Sequence, residues 1–286
     1  MIIVLRGADF SANNIGKIDV SNTLSVRTKE IASKFSKPLS DYTLFALQDL
    51  IDWLDSENIL ANMDGLYLPC LAGTLEESFI NVAKSPFNID WVPNSEIYEL
   101  RSNGIRTKAS NTSGAEANAL MVTSSAPVND LHLLWFNTEE YTGENAFEPI
   151  YPFKGNNNYS WNKIDNGFVA ASPQSQLGGY ELNSLGGGRK DNMGSITLNK
   201  SLKGINHKDV GNVPNILIYT PERRATTMNT SIDYSTLTNS MGRFSLSGPT
   251  SKTMIIPHGV ISMGRGLTDE QVLQYNNLIT ALIDTL

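Results

Sequence analysis

The spacing of apolar and polar positions changes character twice along the chain. The first residues, Met1-Ile-Ile-Val-Leu5, form an apolar run long enough for one strand. Ile18 to Val26 alternates with period two and predicts a second strand, joined to the first by the turn-rich stretch Gly7 to Gly16. A two-stranded ribbon is marginal in water, so this unit is expected to dock on the rest of the chain or on another subunit. Helical spacing then takes over. Behind a Ser40 cap, Leu44, Leu47, Ile51 and Leu54 line one face of a predicted helix that ends near Glu57. Trp53 is assigned to the core. A short strand is predicted over 65–71. Thr74-Leu-Glu-Glu77 reads as a capping box opening a helix that carries Phe79, Ile80 and Ala83 and stops before Pro86.

From about residue 89 the pattern becomes one of short apolar or alternating runs separated by turn residues. These runs are 131–136, 161–170, 179–182, 194–199, 215–220, 241–246 and 253–263. Gly194 to Asn199 alternates as a half-buried strand should, and Asn215 to Thr220 is apolar on both faces. Many short strands at this spacing predict a sandwich or barrel. The connectors Lys154 to Asn158 and Gly186 to Met193 read as long loops suited to making contacts. The chain closes with a strand (253–264), a glycine turn in which Gly264 and Gly266 are expected at positive φ, and an amphipathic helix. That helix starts at a Thr268/Gln271 capping box and turns Val272, Tyr275, Ile279, Leu282 and Leu286 inward. The fold class predicted is mainly β with a helical N-terminal portion: a jelly-roll β-sandwich closed by a C-terminal helix. The expected organisation is an arm (1–34), a small helical unit (35–88) and the sandwich with its helix (89–286).

Composition narrows the setting. The chain has 286 residues, 40% of them apolar and only 18% charged, and carries a formal net charge of −7. Asn, Ser, Thr and Gly fill the gap, a mix that favours turns and strand surfaces. No basic cluster exceeds Arg189-Lys190 or Arg223-Arg224, which argues against nucleic-acid binding. No apolar run approaches the roughly 18 residues needed to span a bilayer, and no basic leader precedes Met1 to Leu5, so neither membrane insertion nor a signal peptide is expected. The single cysteine, Cys70, allows no internal disulfide and is expected to be a buried small hydrophobe.

Residue patterns with catalytic spacing are missing. His132, His207 and His258 have no ligand spacing and are expected in structural or solvated roles. There is no Gly-x-Ser-x-Gly elbow, and Gly186-Gly-Gly188 lacks the ending of a phosphate loop. Paired carboxylates for sugar hydrolysis reduce to Glu139-Glu140, Glu144 with Glu148, and Asp55 with Glu57, none at alternate positions of a strand. No catalytic residue and no cofactor is assigned. Asp165, Asn166, Asp191 and Asn192 offer oxygens to calcium without requiring it. Sugar recognition without hydrolysis needs less, an aromatic face and a few amides. Tyr141, Asn157, Asn158, Tyr159 and Trp161 are the candidate glycan contacts.

Three strings carry a resemblance. Gly7-Ala-Asp-Phe-Ser-Ala-Asn-Asn-Ile-Gly16 resembles the opening of virion appendage proteins of tailed phages of the crAss-like gut kind. Met63-Asp-Gly-Leu-Tyr-Leu-Pro-Cys-Leu-Ala-Gly73 with Phe79-Ile-Asn-Val82 is similar to the segment that follows in such proteins. Ile256 to Gln271, with Tyr275-Asn276, resembles the close of a concanavalin A-like (laminin G-type) jelly roll. The resemblance implies a structural protein of the particle, a head fibre or tail-associated appendage found in the virion and made in the host cytoplasm. It implies other virion proteins as partners, a homo-oligomer, and a host-surface glycan as ligand. Asp9, Phe10, Ser11, Asn13, Asn14 and Ile15 become the candidate virion-attachment residues. A decoration protein without a ligand and a jelly-roll glycan hydrolase are the alternatives.

Overall fold

The computed structural model describes residues 23–89, 95, 98–107, 120–123, 130–139, 148–151, 167–170, 180–183, 190–192, 200–208, 216–220, 223–225, 241–244 and 257–286. The candidate attachment residues Asp9 to Ile15 and the candidate glycan contacts Tyr141, Asn157, Asn158, Tyr159 and Trp161 lie outside them, as do the expected strands at 1–5 and 194–199.

Three α-helices are described: α1 (Val26–Ala32), α2 (Asp41–Ser56) and α3 (Asp269–Ile283). Each opens on a hydroxyl that accepts from the backbone three residues on, satisfying one of the free amides of the first turn. Ser25 Oγ takes Thr28 N at 3.2 Å, Ser40 Oγ takes Thr43 N at 3.1 Å and Thr268 Oγ1 takes Gln271 N at 3.2 Å. Gln271 returns the bond to Thr268 N at 2.9 Å, completing the predicted capping box. Helix α1 replaces the end of the expected strand 18–26. Its Thr28 and Ile31, three apart, are buried while Val26 is exposed, a helical and not a strand alternation.

The strands form two antiparallel sheets. One contains β1 (Met63–Tyr67), β2 (Tyr98–Arg101), β3 (Gly104–Thr107), β5 (Leu131–Asn137), β10 (Ser201–His207), β11 (Ile216–Thr220), β12 (Arg223–Ala225) and β14 (His258–Gly264), in the order β12-β11-β10-β5-β14-β3-β2, with β1 also paired to β14. The other contains β4 (Leu120–Thr123), β6 (Glu148–Tyr151), β7 (Gly167–Ala170), β8 (Tyr180–Asn183), β9 (Lys190–Asn192) and β13 (Met241–Phe244), in the order β4-β13-β6-β7-β8-β9. The sequence is therefore organised as antiparallel β-structure with helices and a C-terminal helix.

Helices α2 and α3 cover one face of the first sheet. Leu47, Leu50, Ile51 and Leu54 of α2 and Val272, Tyr275, Ile279 and Leu282 of α3 are fully buried, in one cluster with Leu66, Leu134, Phe136, Leu202 and Val260 from four strands. Trp53 packs at the margin of this core, its ring stacked on Tyr275 at 6.1 Å. Ile283, not Leu286, completes the inner face of α3, and Leu286 is 41% exposed. On the opposite face of the same strands lie Tyr67, Ile261 and Trp135, which stand in register across β1, β14 and β5 and are also buried. The segment from α1 to β1 thus shares both its core and its sheet with residues 258–283.

The helix expected after Thr74 shortens to a single 3₁₀ turn, Glu76–Phe79. Two side chains draw the backbone elsewhere. The Glu77 carboxylate accepts from Gly73 N (2.7 Å) and Ser36 N (3.0 Å), outside its own turn. Buried Asn81 accepts from Leu66 N and Ala83 N, both at 3.1 Å, and donates to Asp64 O at 2.9 Å. Such side-chain bonds compete directly with the helical ladder. The predicted strand 65–71 likewise ends at Tyr67, because Pro69 starts a 3₁₀ turn through Leu71.

The corner between β14 and α3 is held by side chains from β5 and β10. Asn206 accepts from Leu267 N (2.8 Å) and donates to Leu267 O (2.7 Å). Lys208 Nζ donates to Gly266 O at 3.0 Å and to Asp130 at 3.0 Å. His132 Nδ1 lies 2.5 Å from Arg265 O. A carbonyl only accepts, so Nδ1 carries a proton. Gly264 was expected to need a positive φ. Its backbone is not in that region, and close approach explains the residue instead: an added Cβ would lie 2.6 Å from Asn62 O and 2.7 Å from Met63 Cα.

His132 gives the corner a pH dependence. Burial pushes its pKa down to about 4, against partial opposition from the Arg265 carbonyl and from Asp64 and Asp130, with Lys208 adding to the depression. Between pH 6.5 and about 4 the unfolded chain binds a proton that the folded ring refuses. Stability attributable to His132 is therefore intact above pH 7 and falls by about 3 kcal/mol as pH drops to about 4. Urea titrations at several pH values are expected to show a shallower loss of stability below pH 6.5 in His132→Gln than in the native sequence.

Candidate functional site

An open depression of about 490 Å³ lies where three segments meet: Ser36 to Pro38 from the α1–α2 linker, Ala72 and Gly73 from the turn after the 69–71 helix, and Leu100 to Ser102 from the β2–β3 hairpin. The first two segments touch because residue 73 has no side chain. An added Cβ there would sit 2.3 Å from Ser36 Oγ and 2.9 Å from Lys37 N. The Glu77 carboxylate clamps the same junction from outside through the Gly73 and Ser36 amides. Burial alone raises the Glu77 pKa, but the amides of Gly73, Ser36 and Thr74 and the Ser36 hydroxyl outweigh it and hold the carboxyl below its ordinary value.

Lys37 ties the linker to the other two segments. Its ammonium donates to Cys70 O at 3.1 Å and to Ser102 O at 2.6 Å. Arg101 donates from Nε (3.1 Å) and Nη2 (2.6 Å) to Glu99 Oε1, which also receives Arg106 Nε at 2.6 Å. One carboxylate is thus shared by two guanidinium groups. Among the described residues the lining holds two basic side chains, no acidic one, the hydroxyls of Ser36 and Ser102, and apolar surface from Pro38, Ala72 and Leu100. Such a lining is suited to an anion attached to a partly apolar body.

The sequence-derived candidates fall elsewhere. Glu139 is exposed beyond the end of β5, and its carboxylate accepts from Asn103 Nδ2 at 3.2 Å. Its neighbour Glu140, and Glu144, lie outside the described residues. Glu57 follows α2 and accepts from Gln271 Nε2 at 3.2 Å. His132 and His258 are fully buried in β5 and β14, and His258 meets the edge of Trp135 at 6.3 Å. Trp135 is fully buried in β5. Cys70 is buried, and burial pushes its thiol up to about 12, so it carries no thiolate at neutral pH. Among the described residues no three His, Cys, Asp or Glu side chains form a metal-binding group, and no helix is long and apolar enough to cross a membrane. Lys37 and Arg101 escaped the sequence reading. The Asn103-Gly104 pair where Tyr98–Arg101 turns into Gly104–Thr107 is a hairpin signal that would have placed Arg101 at a turn; nothing in the sequence pairs it with Lys37.

No family model matches the chain, and no curated protein matches it. Among solved structures it is similar to a Trypanosoma rangeli sialidase, with a TM-score of 0.50 and 12% identity, covering 83% of this chain and 39% of that one. A T. rangeli sialidase in complex with sialic acid matches with a TM-score of 0.48 and 11% identity, again over 83% of this chain and 39% of that chain. The chain thus spans about two fifths of the length of these sialidases, and the likeness is one of fold.

Proposed function

We propose that this protein recognises carbohydrate without cleaving it, as a structural component of a phage particle whose strands form a concanavalin A-like jelly roll. The observation that carries the carbohydrate part is the fold shared with a sialidase over 83% of the chain. The virion part rests on the three strings Gly7–Gly16, Met63–Gly73 and Ile256–Gln271. In this reading residues ahead of α1, with Asp9, Phe10, Ser11, Asn13, Asn14 and Ile15, attach the protein to the particle. Many weak sugar contacts then gain strength from multiple copies. In this reading the attaching segment ends before α1, whose Ile31 belongs to the core. Deleting 1–22 is expected to abolish incorporation into particles, read by immunogold labelling, while deleting 1–34 is expected to yield insoluble protein because it strips Ile31 as well.

The test of recognition is a glycan array probed with the full-length protein, paired with a sugar-release assay on the bound glycans. Binding with no released sugar is the expected result. The sialidase likeness favours hydrolysis as the second reading. Release of sugar that Glu139→Gln abolishes would establish that reading, and an array without any signal would leave a decoration protein.

A further inference from the structure

We propose that the outer surface of α1 and α2 joins two copies of this chain, α1 of each lying on α2 of the other, an association that needs neither the carbohydrate nor the virion reading. Helix α2 turns Leu47, Leu50, Ile51 and Leu54 into the core. Its opposite face carries Tyr42, Phe45 and Asp52, three and seven residues apart. Tyr42 is 79% exposed and Phe45 38%. Helix α1 lies alongside, where Ser25 N donates to Gln48 Oε1 at 2.8 Å, one turn beyond Phe45. The residue after Ser25 is Val26, the first of α1, and it is 71% exposed. Single apolar residues at a surface need no explanation, but neighbouring ones on adjoining helices mark a contact surface.

Charge identifies the occupant as a second copy. From Asp41 to Glu57 the sequence has five acids and no base, whereas from Val26 to Lys37 it has four bases and one acid. Arg27 is taken up by Val82 O and Glu30, and Lys37 by two carbonyls. Lys29 and Lys34 remain exposed, with Lys34 lying over the Phe87 ring. Among the described residues no ion pair joins α1 to α2. Opposite charges therefore stand side by side on one surface without neutralising each other. A two-fold axis suits that arrangement, because the patch it joins must be complementary to itself. Each α1 then meets the partner's α2, and both pairings oppose unlike charges. Stacking α2 on the partner's α2 would set acid against acid, so charge selects the pairing while Val26, Tyr42 and Phe45 supply apolar area.

The experiment is sedimentation velocity of the full-length protein over a range of concentrations. A concentration-dependent dimer is expected, weakening as salt is raised from about 50 to 500 mM and screens the opposed charges. Tyr42→Ser is expected to weaken the dimer by about tenfold, the loss of one aromatic anchor. Because that side chain is exposed in the single chain, the melting temperature at monomer concentrations is expected to stay unchanged. Asp52→Lys and Lys29→Glu are each expected to leave monomers, since each sets like charges against each other in both halves of the contact. An equimolar mixture of these two variants is expected to restore the dimer, because every pairing then opposes unlike charges. Monomers at every concentration, a dimer indifferent to the three substitutions, or a mixture that stays monomeric overturns the proposal. Dimerisation that appears only after residues 1–22 are deleted also overturns it, and assigns this surface to that segment.

Discussion

Valine in place of Gly264 is expected to lower the free energy of unfolding by about 5 kcal/mol. The position is the last residue of β14, where that strand pairs with Met63 of β1. Both atoms within 3 Å of the new Cβ are backbone, Asn62 O at 2.6 Å and Met63 Cα at 2.7 Å, with His132 Cε1 at 3.2 Å behind them. A flexible side chain could swing aside; these cannot move unless β1 withdraws from β14 or the bond from Arg265 N to Asn62 O, at 3.1 Å, breaks. Valine adds two methyl groups to that conflict. Urea denaturation followed by tryptophan fluorescence measures the loss. A midpoint equal to that of the native sequence would show that β1 does not approach β14 in this way.

Replacing Asn206 by leucine is expected to cost about 4 kcal/mol. The side chain is nearly isosteric, so the loss is not one of volume. It comes from Leu267, whose buried N–H and C=O both bond to the one amide at 2.8 and 2.7 Å. Leucine leaves a donor and an acceptor without partners, at about 1–3 kcal/mol each. Asn206→Asp separates the two halves of the bond: the carboxylate keeps the Leu267 N–H and repels the carbonyl. It is expected to fall between the native protein and Asn206→Leu at pH 7. Hydrogen exchange at the Leu267 amide gives a local readout, with protection retained in Asn206→Asp and lost in Asn206→Leu.

The elements that could be read from the sequence are those whose pattern is local. Helix α2 announces itself through Ser40 and the repeat of Leu47, Ile51 and Leu54, and α3 through Thr268, Gln271 and the Val272-Tyr275-Ile279-Leu282 stripe. Strands β5 and β11 stand out as apolar runs. What was misread depends on partners far away in the chain. Glu77 opens no helix because its carboxylate is taken by Ser36, 41 residues earlier. Asn81 serves Leu66 and Asp64 in place of its own turn. The Gly264 backbone is dictated by Asn62, which no window around residue 264 contains. The depression is a stronger case. Its three walls come from residues 36–38, 72–73 and 100–102, which no local window of the sequence brings together.

The pairing of β1 with β14 has a consequence for synthesis. Met63 and Gly264 are neighbours in the sheet, and Thr43 Oγ1 bonds to Thr285 O across 242 residues. Helix α2 buries its apolar stripe partly against residues of α3 that a ribosome adds long after it. While the chain emerges, Leu47, Leu50, Ile51 and Leu54 have no permanent cover, and productive folding waits for translation to deliver α3. Contacts this distant slow folding and prolong the exposure of sticky intermediates. Polypeptides released before residue 258 would therefore be expected to aggregate or engage chaperones.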